Sequence, residues 1–118
     1  FVTFRNEHPG RGSHALQGFA VDGRKVSALD FSLYVRGKDI RFGQSRNEWP
    51  RLIITFYDEN RATIGHDSIG PWTLTFDWRQ EKKRIAVPIK AREAIVRIGL
   101  LGAIGEISFD RIEMKAAE

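Results

Sequence analysis

The stretch Leu29-Asp30-Phe31-Ser32-Leu33-Tyr34-Val35-Arg36 alternates apolar and polar residues without a break. That period of two belongs to a half-buried β-strand and excludes an amphipathic helix. Leu29, Phe31, Leu33 and Val35 fall on one side, facing a core, and Asp30, Ser32, Tyr34 and Arg36 fall on the other, facing water. The pattern recurs over Arg51–Asp58, where Leu52, Ile54 and Phe56 point inward and Ile53, Thr55 and Tyr57 outward. Over Trp72–Arg79 the residues Trp72, Leu74, Phe76 and Trp78 share one side, so Trp78 is expected in the core. Alternation with one wet face is the signature of an antiparallel sheet.

Further strands are predicted at Phe1–Phe4, Ala15–Val21, Arg84–Pro88, Ala94–Leu101 and Glu106–Met114, each bounded by Gly, Pro, Asp or Asn. Asp22-Gly23 is a pair favoured in tight hairpins, and Asp58-Glu59-Asn60-Arg61 is a polar turn. Ile89–Leu101 lacks a clean helical stripe, and a single turn around Lys90–Glu93 is the most helix expected. Ile107 and Phe109 fall on the side opposite Ile112 and Met114, and a bulge near Asp110 would bring all four to one side. About seven or eight short strands at this spacing make the fold class all-β, an antiparallel sandwich or jelly roll.

The chain has 118 residues, enough for one core and one domain spanning 1–118. Its 42% apolar and 29% charged residues suit a globular domain and offer neither a disordered tail nor a membrane span. The start at Phe1, in mid-alternation, is expected of a piece cut from a longer polypeptide. Without cysteine the chain has no disulfide, thiolate metal site or cysteine nucleophile, and its stability rests on packing. The net charge is +4, but acidic residues are interleaved with the basic ones along most of the chain. The densest basic run, Arg79–Arg84, could meet phosphates or sulfates, although a charged loop tip is the plainer expectation.

Catalytic motifs are near misses. Gly18–Lys25 approaches a phosphate-binding loop, but Arg24 stands where lysine is required and the following Ser or Thr is missing. Gly99, Gly102 and Gly105 lack dinucleotide spacing and precede a strand, so a turn accounts for them. His8, His14 and His66 form no metal-ligand spacing and no triad. A carboxylate pair assembled in space stays open, but a chain this short leaves little room for a catalytic cleft.

What remains is a set of aromatic and planar polar residues on exposed strand faces and loops. Sugar rings present C–H groups that stack on aromatic faces, and their hydroxyls require planar donors and acceptors. Tyr34, Arg36, Tyr57 and Arg97 are candidates on strands. Trp49, before Pro50 in a polar loop, is the tryptophan expected to be most exposed. Trp72, beside Gly70-Pro71, can serve either as core edge or as stacking platform.

The order of motifs adds a resemblance. Gly12-Ser13-His14-Ala15-Leu16, the Leu29–Gly37 strand ending in Val-Arg-Gly, Trp78 followed by Ile85-Ala86-Val87-Pro88, and the closing Gly105-Glu106-Ile107-Ser108-Phe109-Asp110 resemble the jelly-roll carbohydrate-binding modules, galactose-binding-like sandwiches attached to secreted polysaccharide-degrading enzymes. The likeness extends over roughly residues 10–115. It implies a non-catalytic domain, secreted or at the cell surface, that holds a covalently linked catalytic domain near its polysaccharide. It also implies a structural calcium between an early loop and the last strand. Asp110 would be a ligand, with oxygens around Gly10–Ser13, Ser13 among them, and Glu7 as the nearest further carboxylate.

The expected function is therefore glycan binding by one exposed face carrying Tyr34, Arg36, Tyr57 and Arg97, helped by a loop tryptophan, with a preference for acidic or sulfated polysaccharide. The alternative is a structural or protein-interaction sandwich, marked by joint exposure of Ile53 and Leu101. The interspersed acids argue against nucleic acid.

Overall fold

The computed structural model describes residues 1–7, 14–41 and 49–117, and among them there is no helix. Eight strands follow in order: β1 (Val2–Asn6), β2 (His14–Ala20), β3 (Ala28–Arg41), β4 (Leu52–Tyr57), β5 (Thr63–Ile69), β6 (Leu74–Ala86), β7 (Glu93–Gly99) and β8 (Ile104–Ala116). They form two four-stranded sheets, ordered β1-β8-β3-β6 and β2-β7-β4-β5, in which every neighbouring pair is antiparallel. The fold is an all-β sandwich, as the alternation predicts.

The core lies between the sheets. Leu29, Phe31, Leu33 and Val35 of β3 are buried, as are Leu52, Ile54 and Phe56 of β4 and Ile107 and Phe109 of β8. Each such side chain stabilises the fold by about 1.5–3 kcal/mol relative to exposure, the largest favourable contribution open to a chain without disulfides. Trp72 belongs to this core at 1% exposure, edge-on to Phe109 at 5.5 Å, with its backbone N–H donated to the Pro50 carbonyl at 3.1 Å. The sheets are also tied at one edge, where Lys83 Nζ of β6 donates to Asp67 Oδ1 at 3.0 Å and to the Ser68 carbonyl at 2.8 Å on β5. β2 consequently lies at the opposite edge, with β1 and β8.

Several expectations are corrected. Thr63–Ile69 is a strand that the alternation does not reveal, because Gly65, His66 and Asp67 break the pattern on a strand that is covered on one side only. The two strands expected at Trp72–Arg79 and Arg84–Pro88 are one strand of 13 residues, so the basic run Arg79–Arg84 is mid-strand and not a loop tip. Asp22-Gly23 makes a turn, but it joins β2 to β3 in different sheets and closes no hairpin. The single turn allowed around Lys90–Glu93 is present as a non-helical turn at Ile89-Lys90, in agreement with expectation, and Glu93 already begins β7.

Two bulges set the outward faces. On β8, Tyr34 pairs with Asp110 and Ser32 with Glu113, so two residues of β3 oppose three of β8, and Arg111 takes a left-handed φ of 49°. This is the bulge that the parity of the last strand requires. On β6, Val35 pairs with Arg79 and Gly37 with Phe76, a second two-against-three mismatch. Glycine at 37 lets the two strands meet without a shift, since a β-carbon would lie 2.5 Å from Phe76 Cε1 and 2.6 Å from Ile40 Cδ1 and would push both side chains aside. Phe76 can therefore close over β3 on the core side, and the extra residue sends Trp78 to the other side.

Candidate functional site

The outer face of the β1-β8-β3-β6 sheet carries the chemistry. Along β3, Asp30, Ser32, Tyr34 and Arg36 point away from the core and are half-buried among their neighbours. Register places Arg84, Lys82 and Gln80 of β6 beside Asp30, Ser32 and Tyr34 on one flank. Lys115, Glu113, Asp110 and Ser108 of β8 flank Asp30, Ser32, Tyr34 and Arg36 on the other. The face is a grid of polar groups in which planar carboxylates, guanidinium groups, an amide and a phenol alternate with lysines and serines.

One end of the grid is charged. Arg84 holds Asp30 by two hydrogen bonds, Nε to Oδ1 at 2.8 Å and Nη2 to Oδ2 at 3.1 Å, and these hold the Asp30 carboxyl below its ordinary value. Lys115 adds a further attraction to the same carboxylate. Gln80 Nε2 donates to Ser32 Oγ at 3.3 Å. A shallow cavity of ≈ 700 Å³ lies over this end, bordered by Asp30, Gln80, Lys82, Arg84, Glu113 and Lys115.

The middle of the grid is aromatic. Trp78 stands on the outer face, where the Arg36 guanidinium carbon lies 4.8 Å from its ring centre, and Phe1 meets it edge-on at 5.4 Å. Arg36 is also 5.5 Å from the Phe1 ring, so one cation serves two rings. Tyr34, Trp78, Asp110 and Arg111 border a hollow of ≈ 320 Å³ next to this cluster. At the far end Arg5 pairs with Glu106 and holds that carboxyl below its ordinary value. The result is an open surface that carries aromatic rings, paired donors and paired acceptors on one side of the sheet.

Of the residues expected to bind together, only Tyr34 and Arg36 share this face. Tyr57 and Arg97 point outward from the other sheet, on the opposite side of the sandwich, because outward parity says that a residue leaves the core without saying which sheet carries it. They are also apart from each other: Arg97 pairs with Ile53, four residues along β4 from Tyr57, a separation of about 13 Å. Trp72 is buried in the core and presents no platform. Trp49 is half-buried at the start of the segment leading into β4, next to the buried Pro50. Trp78, expected in the core, is the exposed-face tryptophan, and Phe1, Gln80, Lys82, Arg84 and Lys115 join it. The bulge at Asp77-Trp78 obscures the signal of Trp78 in the sequence, and Lys82 and Arg84 belong to the basic run expected at a loop tip.

Two of the expected calcium ligands, Asp110 and Glu7, do not meet. Val2 pairs with Phe109 and Asn6 with Gly105, so Asp110 and Glu7 lie at opposite ends of the β1–β8 ladder, about 20 Å apart. One ion cannot hold both, since calcium–oxygen distances are about 2.3–2.6 Å. Ser13, with Gly10–Gly12, lies outside the described residues. Among the described residues no three His, Asp or Glu groups gather as a metal site.

No protein-family model matches this sequence, and no curated protein matches it significantly.

Proposed function

We propose that the chain is a non-catalytic carbohydrate-binding module of jelly-roll type, which binds a polysaccharide or oligosaccharide on the outer face of the β1-β8-β3-β6 sheet. The strand orders β1-β8-β3-β6 and β2-β7-β4-β5 support the jelly-roll reading, because every connection except β4–β5 crosses between the sheets in the manner of that topology. The observation that carries the glycan reading is the Trp78–Arg36–Phe1 cluster beside Tyr34 on an open face. Rings held by neighbours lose little freedom when a sugar stacks on them, and the flanking Gln80, Arg84, Asp30 and Asp110 offer partners to ring hydroxyls. Lys82, Arg84 and Lys115 favour an acidic or sulfated glycan. In a secreted or cell-surface parent, a linked catalytic domain would be held at its substrate by this face.

Affinity electrophoresis against a polysaccharide panel, with parent, Trp78→Ala, Tyr34→Ala and Arg97→Ala, tests the assignment. Loss of retention in the first two variants with Arg97→Ala unchanged is expected. Retention unaffected by Trp78→Ala and Tyr34→Ala on every glycan that slows the parent rejects it. The second reading, a structural or protein-interaction sandwich, draws on the exposed apolar Leu16 on β2 and Ile112 and Met114 on β8. Ile53 and Leu101, the pair expected to mark an apolar docking face, are both half-buried.

A further inference from the structure

β8 is longer than the strand that covers it. β1 pairs with Gly105–Phe109 only, and beyond Asp110 no strand among the described residues occupies that edge of β8. The register with β3 places Met114 opposite Phe31, hence on the core-facing side together with Ile112, yet these two are 38% and 39% exposed. Ala15 and Gln17 of β2 have inward parity, pairing with Ile98 and Val96, and they too are exposed. β2 lies at this same edge of the sandwich, so among the described residues the apolar side chains of β8 lie exposed beside a strand edge that no other strand pairs.

Charges on a free edge ordinarily discourage pairing. Here their order does the opposite for one partner. In an antiparallel pairing of Ile112–Ala116 with its own copy, centred on Met114, each Glu113 faces Lys115 of the other chain, twice. On the core side the same register sets Ile112 against Ala116 twice, with Met114 against Met114. Centring on Glu113 instead would oppose Glu113 to itself and Arg111 to Lys115, like charges throughout. Opposite charges directly across antiparallel strands attract and like charges repel.

We propose that two copies of this chain associate through the β8 edge, antiparallel, with Met114 on the two-fold axis. The two β1-β8-β3-β6 sheets then join into one, and their outer faces lie on a common surface. The contact stands independently of what that surface binds.

Sedimentation analysis of the whole chain over a concentration series tests the contact. The parent forms a dimer, Glu113→Lys weakens it by about tenfold or more, and Glu113→Lys combined with Lys115→Glu restores it. A parent that is monomeric up to millimolar concentration, or a dimer indifferent to Glu113→Lys, overturns the proposal. Because the chain has no cysteine, cross-linking gives a second measurement. Met114→Cys chains should join by disulfide under mild oxidation, since opposed residues have Cβ atoms about 4.5–5.5 Å apart, and Ile112→Cys chains should not. Faster cross-linking of Ile112→Cys than of Met114→Cys also overturns it.

Discussion

The Arg36 guanidinium lies 4.8 Å from the centre of the Trp78 ring, and this contact joins β3 to β6 across the outer face of the sheet. Arg36 reaches it by regular outward parity, Trp78 only because a bulge reverses its side. A cation above an indole is worth about 0.5–1 kcal/mol at an exposed site. A double-mutant cycle of Arg36→Ala and Trp78→Ala in urea unfolding should show a coupling of that size, and a coupling indistinguishable from zero would remove the contact from solution.

The tryptophans should separate by cost. Trp72, packed against Phe109, should lose about 3–5 kcal/mol on replacement by alanine, as large core truncations do. Trp78→Ala should cost about 1 kcal/mol, the scale of its exposed contacts. Chemical denaturation of the two variants checks the order, and equal losses would return Trp78 to the core.

Gly37→Ala should destabilise by about 1–3 kcal/mol, because the added methyl meets Phe76 and Ile40 well inside contact distance. Gly18 is the control: its nearest neighbours to a β-carbon are 3.9 Å away, and Gly18→Ala should remain within about 1 kcal/mol of the parent. Thermal unfolding of the pair measures the contrast.

Acid should weaken the fold through carboxylates held by arginine. Hydrogen bonds from Arg24 lower the Asp22 pKa from 3.8 to about 2, and Arg84 lowers that of Asp30. A carboxyl whose folded pKa is depressed adds stability above its unfolded value, and that contribution fades as pH falls from about 4 towards 2. Carboxyl titration by NMR should give Asp22 a midpoint well under 3.8. Replacing Arg24 by alanine should raise that midpoint, and an unmoved midpoint would contradict the assignment.

The sequence discloses the fold wherever a strand lies mid-sheet. β3 and β4 alternate cleanly because each has a sheet neighbour on both sides and a core on one face. β5 is an edge strand whose polar Gly65, His66 and Asp67 need no pattern, so it went unseen. Tyr34 and Arg36 were legible for the same reason as β3. Grouping them with Tyr57 and Arg97 was not, because the sheet to which a strand belongs depends on pairing between distant segments. Trp78 shares spacing with Phe76, yet the extra residue opposite Gly37 turns it outward. The bulge on β8 was legible, since Ile107, Phe109, Ile112 and Met114 are apolar on both sides of it. The one on β6 had no such flag.

The account centres on the outer face of the β1-β8-β3-β6 sheet as the surface that meets a glycan. Amide and indole NMR spectra recorded while titrating the polysaccharide that retards the parent most strongly give the direct test. Shifts confined to Trp78, Tyr34, Arg36, Gln80 and Asp110, including the Trp78 indole Nε1–H, are predicted. Shifts centred instead on Thr55, His66 and Arg97 of the other sheet, or none with any glycan, would contradict it.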